Sequence, residues 1–187
     1  IETNIVTQIE KAQEVMHQHF GFAEFREGQA EVIETVLSAQ DAVVVMPTGG
    51  RKSLCYPLPA LMLDGLTLVI SPLIALMKDQ VDQLTARGIA TTFINSSINF
   101  RDMKERLFAM RRGQFKLVYI APERFRSDAF IASINEVKVQ LLAVDEAHCI
   151  SQWGYDFRPP YLRLAELKEL KPDVPVLALT ATATTKV

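Results

Sequence analysis

The stretch Ala42-Val43-Val44-Val45-Met46-Pro47-Thr48-Gly49-Gly50-Arg51-Lys52-Ser53 decides the fold of this 187-residue chain. The valines read as a buried strand, the glycine pair as a turn, and the apolar residues after Ser53 as a helix. That order surrounds a phosphate with backbone N–H groups and a helix N-terminus, while a lysine reaches the terminal phosphates and a serine hydroxyl holds Mg²⁺. Pro47, Thr48, Gly49, Gly50, Arg51, Lys52 and Ser53 are the candidate phosphate ligands. The strict Gly-x-x-x-x-Gly-Lys-Ser spacing asks for glycine at 46 and 51, where Met46 and Arg51 stand. Taken alone, an ordinary glycine turn accounts for the stretch equally well.

Outward from this stretch, short apolar runs recur at Ala42 to Met46, Leu66 to Ile70, Ala90 to Ile94, Lys116 to Ile120, Gln140 to Val144 and Val174 to Leu179. Between them lie longer segments with helical periodicity. Continuous apolar strands alternating with helices predict a doubly wound α/β domain with a mostly parallel sheet covered on both faces. In such folds ligands gather at the carboxyl ends of the strands. Two helices precede the first strand: residues 5 to 20, with Thr3 and Asn4 available as caps, and Ala30 to Ala39. Pro57 falls about one turn into the helix expected after Ser53, where it removes a backbone donor and threatens a kink.

Composition excludes several classes. Hydrophobic residues make up 49% and charged residues 22%, a globular balance. No apolar run approaches the roughly eighteen residues of a membrane-spanning helix, and the N-terminus lacks a basic stretch followed by an apolar one. The expectation is an intracellular protein, cytoplasmic if bacterial and nuclear if eukaryotic. Twenty Lys and Arg against 22 Asp and Glu give a formal charge of −2, so any nucleic-acid contact is local and not a bulk electrostatic effect. Between Arg101 and Arg126 eight basic residues face three acids; Asp102 and Arg106 have the i,i+4 spacing of a solvated helix pair. His17 and His19 read as helix-end or surface residues. Cys55 and Cys149 read as buried thiols, and no His/Cys grouping has metal-ligand spacing.

The run Leu141-Leu142-Ala143-Val144-Asp145-Glu146-Ala147-His148 ends an apolar strand with two acids. Adjacent carboxylates are expensive to bury without a counter-charge, which places them at the sheet's carboxyl edge beside metal and phosphate. In that setting Asp145 and Ser53 hold Mg²⁺, and Glu146 deprotonates the water that attacks the γ-phosphate.

Together the loop at 46 to 53 and Asp145-Glu146-Ala147-His148, a DEAH box, resemble a superfamily 2 helicase. The continuation Cys149-Ile150-Ser151-Gln152-Trp153-Gly154-Tyr155-Asp156-Phe157-Arg158-Pro159 resembles the RecQ family of DNA helicases. Four further motifs extend the resemblance over nearly the whole chain: Phe22, Phe25, Arg26, Gly28 and Gln29; Ser71-Pro72-Leu73 with Met77-Lys78-Asp79-Gln80; Ala121-Pro122-Glu123-Arg124; and Thr180-Ala181-Thr182-Ala183. The resemblance implies a RecA-like first lobe over residues 1–187, with the N-terminal helices and an adenine motif over about 1–40 and the phosphate-loop core over about 41–187. It implies ATP and Mg as cofactors, and DNA, as single strands and duplex junctions, as partner. A second RecA-like lobe with an arginine finger and a cysteine-rich zinc module would lie outside this chain.

The residues agree physically with those roles. Phe22 offers a face to adenine, Gln29 the donor and acceptor that match its N6 and N7 edge, and Arg26 belongs to the same motif. Trp153, Tyr155 and Phe157 beside Arg158 combine stacking faces with a cation, as unstacked bases require, and the resemblance makes this an aromatic loop coupling DNA to hydrolysis through His148. Ser71 and Arg124 are the remaining DNA candidates. Arg51, in place of the family's last loop glycine, either crowds the phosphate or adds a contact to it. Two alternatives stay open: a metabolic phosphate-loop kinase or NTPase, and a non-catalytic nucleotide- or DNA-binding module.

Overall fold

The computed structural model describes residues 2–47, 52–152 and 154–181, with side chains outside 2–6, 53, 151–152 and 154–161. Its six strands are β1 (Ala42–Val45), β2 (Leu66–Ile70), β3 (Thr91–Ile94), β4 (Leu117–Ile120), β5 (Val139–Val144) and β6 (Val176–Thr180). They form one sheet in the order β1-β6-β5-β2-β4-β3, and every described pairing is parallel. β2 is buried at all of its positions, as a central strand covered on both faces must be.

Alternate strand residues feed two cores. On one face Val69, Tyr119, Leu141, Ala143, Leu177 and Leu179 pack with α1 (Glu2–Phe20), α2 (Gln29–Leu37), α3 (Pro57–Met62) and α4 (Ile74–Ala86). On the other, Leu68, Ile70, Val118, Ile120, Leu142 and Val144 pack with α5 (Phe100–Arg111), α6 (Asp128–Asn135) and α8 (Gly154–Leu170). The period-two alternation along β2, with Leu68 and Ile70 to one side and Val69 to the other, is what lets one short strand serve both. A four-residue helix, α7 (Cys149–Gln152), follows the acidic pair.

Five local expectations are corrected. α1 already begins at Glu2, so Thr3 and Asn4 lie inside it and do not cap it. α2 stops at Leu37, and Ala39 takes φ 57, a left-handed conformation that ends the helix short of the expected Ala39. Lys52–Leu54 form a single 3₁₀ turn, and Pro57 stands in the first turn of a new helix after Tyr56, where its missing N–H is not needed. The predicted kink is thus a break between two elements. Arg106 does not pair with Asp102: its Nη1 donates to the Phe93 carbonyl at 2.7 Å and its guanidinium lies 4.5 Å from the Phe93 ring centre. A partly buried carbonyl and a ring face hold a guanidinium better than a solvated carboxylate does. Asp102 instead closes the N-terminus of α5, its backbone N–H donating to Asn99 Oδ1 at 2.8 Å. Finally, Tyr155, Phe157 and Arg158 lie on α8 and not in a loop.

Candidate functional site

β5 delivers the acidic pair to the carboxyl edge of the sheet. The Asp145 N–H still donates to the Ile70 carbonyl at 2.9 Å, continuing the ladder with β2 by one residue. The chain then turns sharply: Glu146 adopts φ 51, uncommon for a residue with a Cβ, and its N–H donates to Asp145 Oδ1 at 2.9 Å. Ala147 N–H reaches the Leu179 carbonyl at 2.9 Å, pinning the turn to β6. Across this turn Asp145 is buried and Glu146 half-buried.

Lys52, in the 3₁₀ turn that follows the glycine stretch, points its ammonium into this pair. Its Nζ lies 3.3 Å from Glu146 Oε1 and 3.6 Å from Asp145 Oδ1. Burial raises the Asp145 carboxyl above its ordinary value, against the opposing pull of Lys52 and of the Glu146 N–H. His148 continues the cluster: Nδ1 is 2.9 Å from Thr180 Oγ1 and 3.4 Å from Glu146 Oε2. Thr180 ends β6 and is fully buried, and its carbonyl accepts the Met46 N–H at 3.1 Å. β1, β5 and β6 therefore converge on one cluster of lysine, two acids, histidine and threonine.

The residues expected to form the adenine motif abut the same corner. Gly28, at φ 79, caps α2, and a Cβ built there would lie 3.6 Å from Met46 Cε, where β1 gives way to the glycine stretch. Gln29 is buried, and its Oε1 accepts the Arg26 N–H at 2.7 Å, fixing the loop that carries Arg26. Phe22 lines a cleft of about 180 Å³ with Tyr56, Gln80, Arg87 and Tyr119. Pro47 is exposed.

Farther along the edge, Ser71 follows β2 and is buried, its Oγ accepting the Leu73 N–H at 3.3 Å. Arg124 follows β4; Nη2 donates to the Asn95 carbonyl at 2.6 Å and Nη1 lies 3.6 Å from Met103 Sδ. Thr48, Gly49, Gly50, Arg51 and Trp153 lie outside the described residues, as do the side chains of Ser53, Phe157 and Arg158.

Sequence reasoning overlooked three participants. Asn95 follows β3 directly, so the rule that sent attention to strand ends also pointed to it; it is buried and holds Arg124 through its carbonyl. Tyr56 and Tyr119 share a buried hydroxyl contact of 3.1 Å with edge-to-face rings. Nothing local in the sequence links these two positions. Both thiols are free and buried, and burial pushes Cys55 up to about 12 and raises Cys149, which keeps them protonated and inert.

Comparison with known proteins gives this corner a lineage. The family model of the DEAD/DEAH box helicases matches residues 26–187. The chain belongs to the DEAD/DEAH box helicase family. Among its relatives, an ATP-dependent DNA helicase RecQ of Haemophilus influenzae is 55% identical over 169 residues, 90% of this chain and 27% of that protein. A RecQ helicase of Bacillus subtilis is 50% identical over 181 residues, covering 96% of this chain and 31% of its own length. The chain thus spans less than a third of these relatives. A hypothetical ATP-dependent RNA helicase of Sulfolobus tokodaii shares the fold with a TM-score of 0.69 over 96% of this chain and 52% of that one, at 19% identity. Membership of the helicase family favours neither a small-molecule kinase nor a non-catalytic module. Among the described residues no helix is long and apolar enough to cross a membrane.

Proposed function

We propose that the chain is the ATP-binding first lobe of a RecQ-type DNA helicase, residues 1–187 forming one RecA-like unit that acts with a second lobe in the full-length protein. The observation that carries this reading is the seating of Lys52 between Asp145 and Glu146, next to a His148–Thr180 contact, at the carboxyl edge of a parallel sheet. Mg·ATP, when bound, supplies the phosphoanhydride whose hydrolysis drives the protein.

The donor set fits that group. A buried carboxylate and a serine hydroxyl are hard oxygen ligands, and Mg²⁺ is commonly held by one or two carboxylates together with substrate phosphates. Among the described residues no group of three His, Cys, Asp or Glu could form an all-protein cage. Ser53 and Asp145 would hold the ion. Lys52, released from the acids, binds the terminal phosphate oxygens, with Pro47, Thr48, Gly49, Gly50 and Arg51 shaping the loop around them. Phe22, Arg26 and Gln29 recognise the base. Glu146 accepts the proton of the attacking water.

His148 touches Glu146 on one side and Thr180 on the other. Single-stranded DNA stacked on Trp153 and Phe157, with Arg158 on its phosphates, reaches Glu146 through this histidine. Ser71 and Arg124, also expected to meet DNA, are engaged within the fold, Ser71 buried with its Oγ accepting the Leu73 N–H and Arg124 donating to the Asn95 carbonyl, so their part is to shape this edge and not to touch the strand. ATP hydrolysis by the full-length protein, measured with and without single-stranded DNA, tests the assignment. Glu146→Gln is expected to lower hydrolysis about 10²- to 10⁴-fold while retaining Mg·ATP affinity, since it removes only the proton acceptor. Hydrolysis at the parent rate would refute it.

A further inference from the structure

The segment that carries Phe22 leaves α1 through Gly21, whose N–H closes the helix on the His17 carbonyl at 3.0 Å and whose φ is 73. A Cβ built on Gly21 would meet no described atom within 4 Å beyond its chain neighbours. A glycine at positive φ in open surroundings leaves the direction of the next residue to contacts on either side of it. Two side chains without a part in the nucleotide chemistry make those contacts. Before Phe22, Arg87 at the C-terminal end of α4 donates from Nη1 to the His19 carbonyl at 3.2 Å and holds its guanidinium 5.4 Å from the centre of the Phe20 ring. His19 Nδ1 lies 3.4 Å from the Arg87 carbonyl, a return hydrogen bond when the imidazole proton is on that nitrogen. After Phe22, Gln13 Nε2 donates to the Ala23 carbonyl at 2.7 Å.

We infer that Arg87 and Gln13 are positioning residues for Phe22, fixing where its ring stands and how it is tilted; the inference rests on the reading of Phe22 as the face on which adenine stacks. Stacking is a sum of many weak, short-range contacts, so a ring displaced by an ångström or turned from its ligand loses much of it. Arg87 and Phe22 line the same cleft of about 180 Å³, together with Phe20 and with Leu54, the residue directly after Ser53. The last carbonyls of a helix lack partners within it and carry its negative pole, which makes the end of α1 a natural seat for a guanidinium.

A general stabilising role for the two side chains is the competing account, and the packing disfavours it. α1 is fixed to the core by Ala12, Met16 and Phe20, all buried. Arg87 is exposed, and its contacts fall on the last two residues of that helix. Gln13 reaches past the helix altogether, to a carbonyl ten positions on. Both sets of contacts therefore bear on residues 19–23, with Phe22 between them, and not on the body of α1.

Calorimetric titration of the full-length protein with Mg·ATP and with Mg·tripolyphosphate, which has no base, tests the proposal in Arg87→Met, Arg87→Lys, Gln13→Met and Phe22→Ala. Phe22→Ala should weaken Mg·ATP at least about fivefold by removing the stacking face. Arg87→Met and Gln13→Met should each weaken Mg·ATP about three- to tenfold while binding Mg·tripolyphosphate as the parent does. Arg87→Lys, which keeps a cation beside Phe20, should recover part of the loss. Equal weakening of both ligands by the Met variants would mean general damage and overturn the proposal. Parent-like Mg·ATP binding by both Met variants, with Phe22→Ala weakened, would leave the stacking face standing and remove only its positioning. Parent-like binding by Phe22→Ala would overturn the stacking face itself, and the positioning with it.

Discussion

Two cations stand at the carboxyl edge of the same sheet and are held in opposite ways. Lys52 lies 3.3 and 3.6 Å from two side-chain carboxylates, whereas Arg124 donates at 2.6 Å to a main-chain carbonyl and turns a second nitrogen to a methionine sulfur. A carboxylate pair is a partner that phosphate and metal together can replace. A backbone carbonyl beneath a turn is not replaced by a ligand without moving the turn. The difference teaches that basic residues in neighbouring motifs do separate work: on the function proposed above Lys52 exchanges its carboxylates for phosphate, whereas Arg124 fixes the turn after β4 to the end of β3.

Removing Arg124 gives the largest effect on stability expected from this contrast. Arg124→Met leaves the Asn95 carbonyl without its charged donor and should cost about 1–3 kcal/mol in urea unfolding of the chain. A change below a few tenths of a kcal/mol would mean that the contact is incidental, and the contrast would fail.

Next in size is the contact that joins the two regions. Tyr56 follows the Lys52 turn, and Tyr119 lies on β4 just ahead of Arg124, with their hydroxyls 3.1 Å apart in the core. Tyr119→Phe should cost about 1 kcal/mol, the ordinary net value of such a bond. Mg·ATP affinity should not change if the two cation sites are independent, and a fall in affinity matched to the stability loss would show them coupled.

The smallest effect is expected at the opposite edge. Asp41 accepts the Val176 N–H at 2.8 Å and pairs with Lys168 at 3.1 Å, and these contacts, the backbone bond foremost, hold its carboxyl below its ordinary value of 3.8. A depressed folded-state pKa contributes stability above the unfolded value and loses it as pH falls through the folded one. Asp41→Asn should therefore lower the unfolding midpoint slightly at neutral pH, with the gap from the parent closing below about pH 4. A gap that persisted in acid would assign the effect to shape and not charge.

Much of this was legible in the sequence because the relevant patterns are local. The six apolar runs became six strands with ends within a residue or two, since buried parallel strands need little beyond continuous apolar side chains. Asp145 and Glu146 were legible because two acids after a buried strand need compensation at the sheet's edge, and Lys52 because it follows a glycine turn between strand and helix. Strand order was not, because placing β6 between β1 and β5 depends on crossovers that no window reveals. Nor was the Thr180 hydroxyl bond to His148, which spans 32 positions, or the choice of Arg106 for Phe93 over Asp102. In each case a tertiary partner displaced the local one.

The central claim, that Lys52 is an exchangeable cation and Arg124 a structural one, is tested most directly by calorimetric titration of Mg·ATP into Lys52→Ala and Arg124→Ala in the full-length protein, alongside the urea midpoint of each variant. Lys52→Ala should lose at least about tenfold in affinity, or roughly 1.4 kcal/mol, with its midpoint close to the parent's. Arg124→Ala should keep its affinity and lose stability. Equal losses of both quantities in the two variants, or the reverse pattern, would contradict the claim.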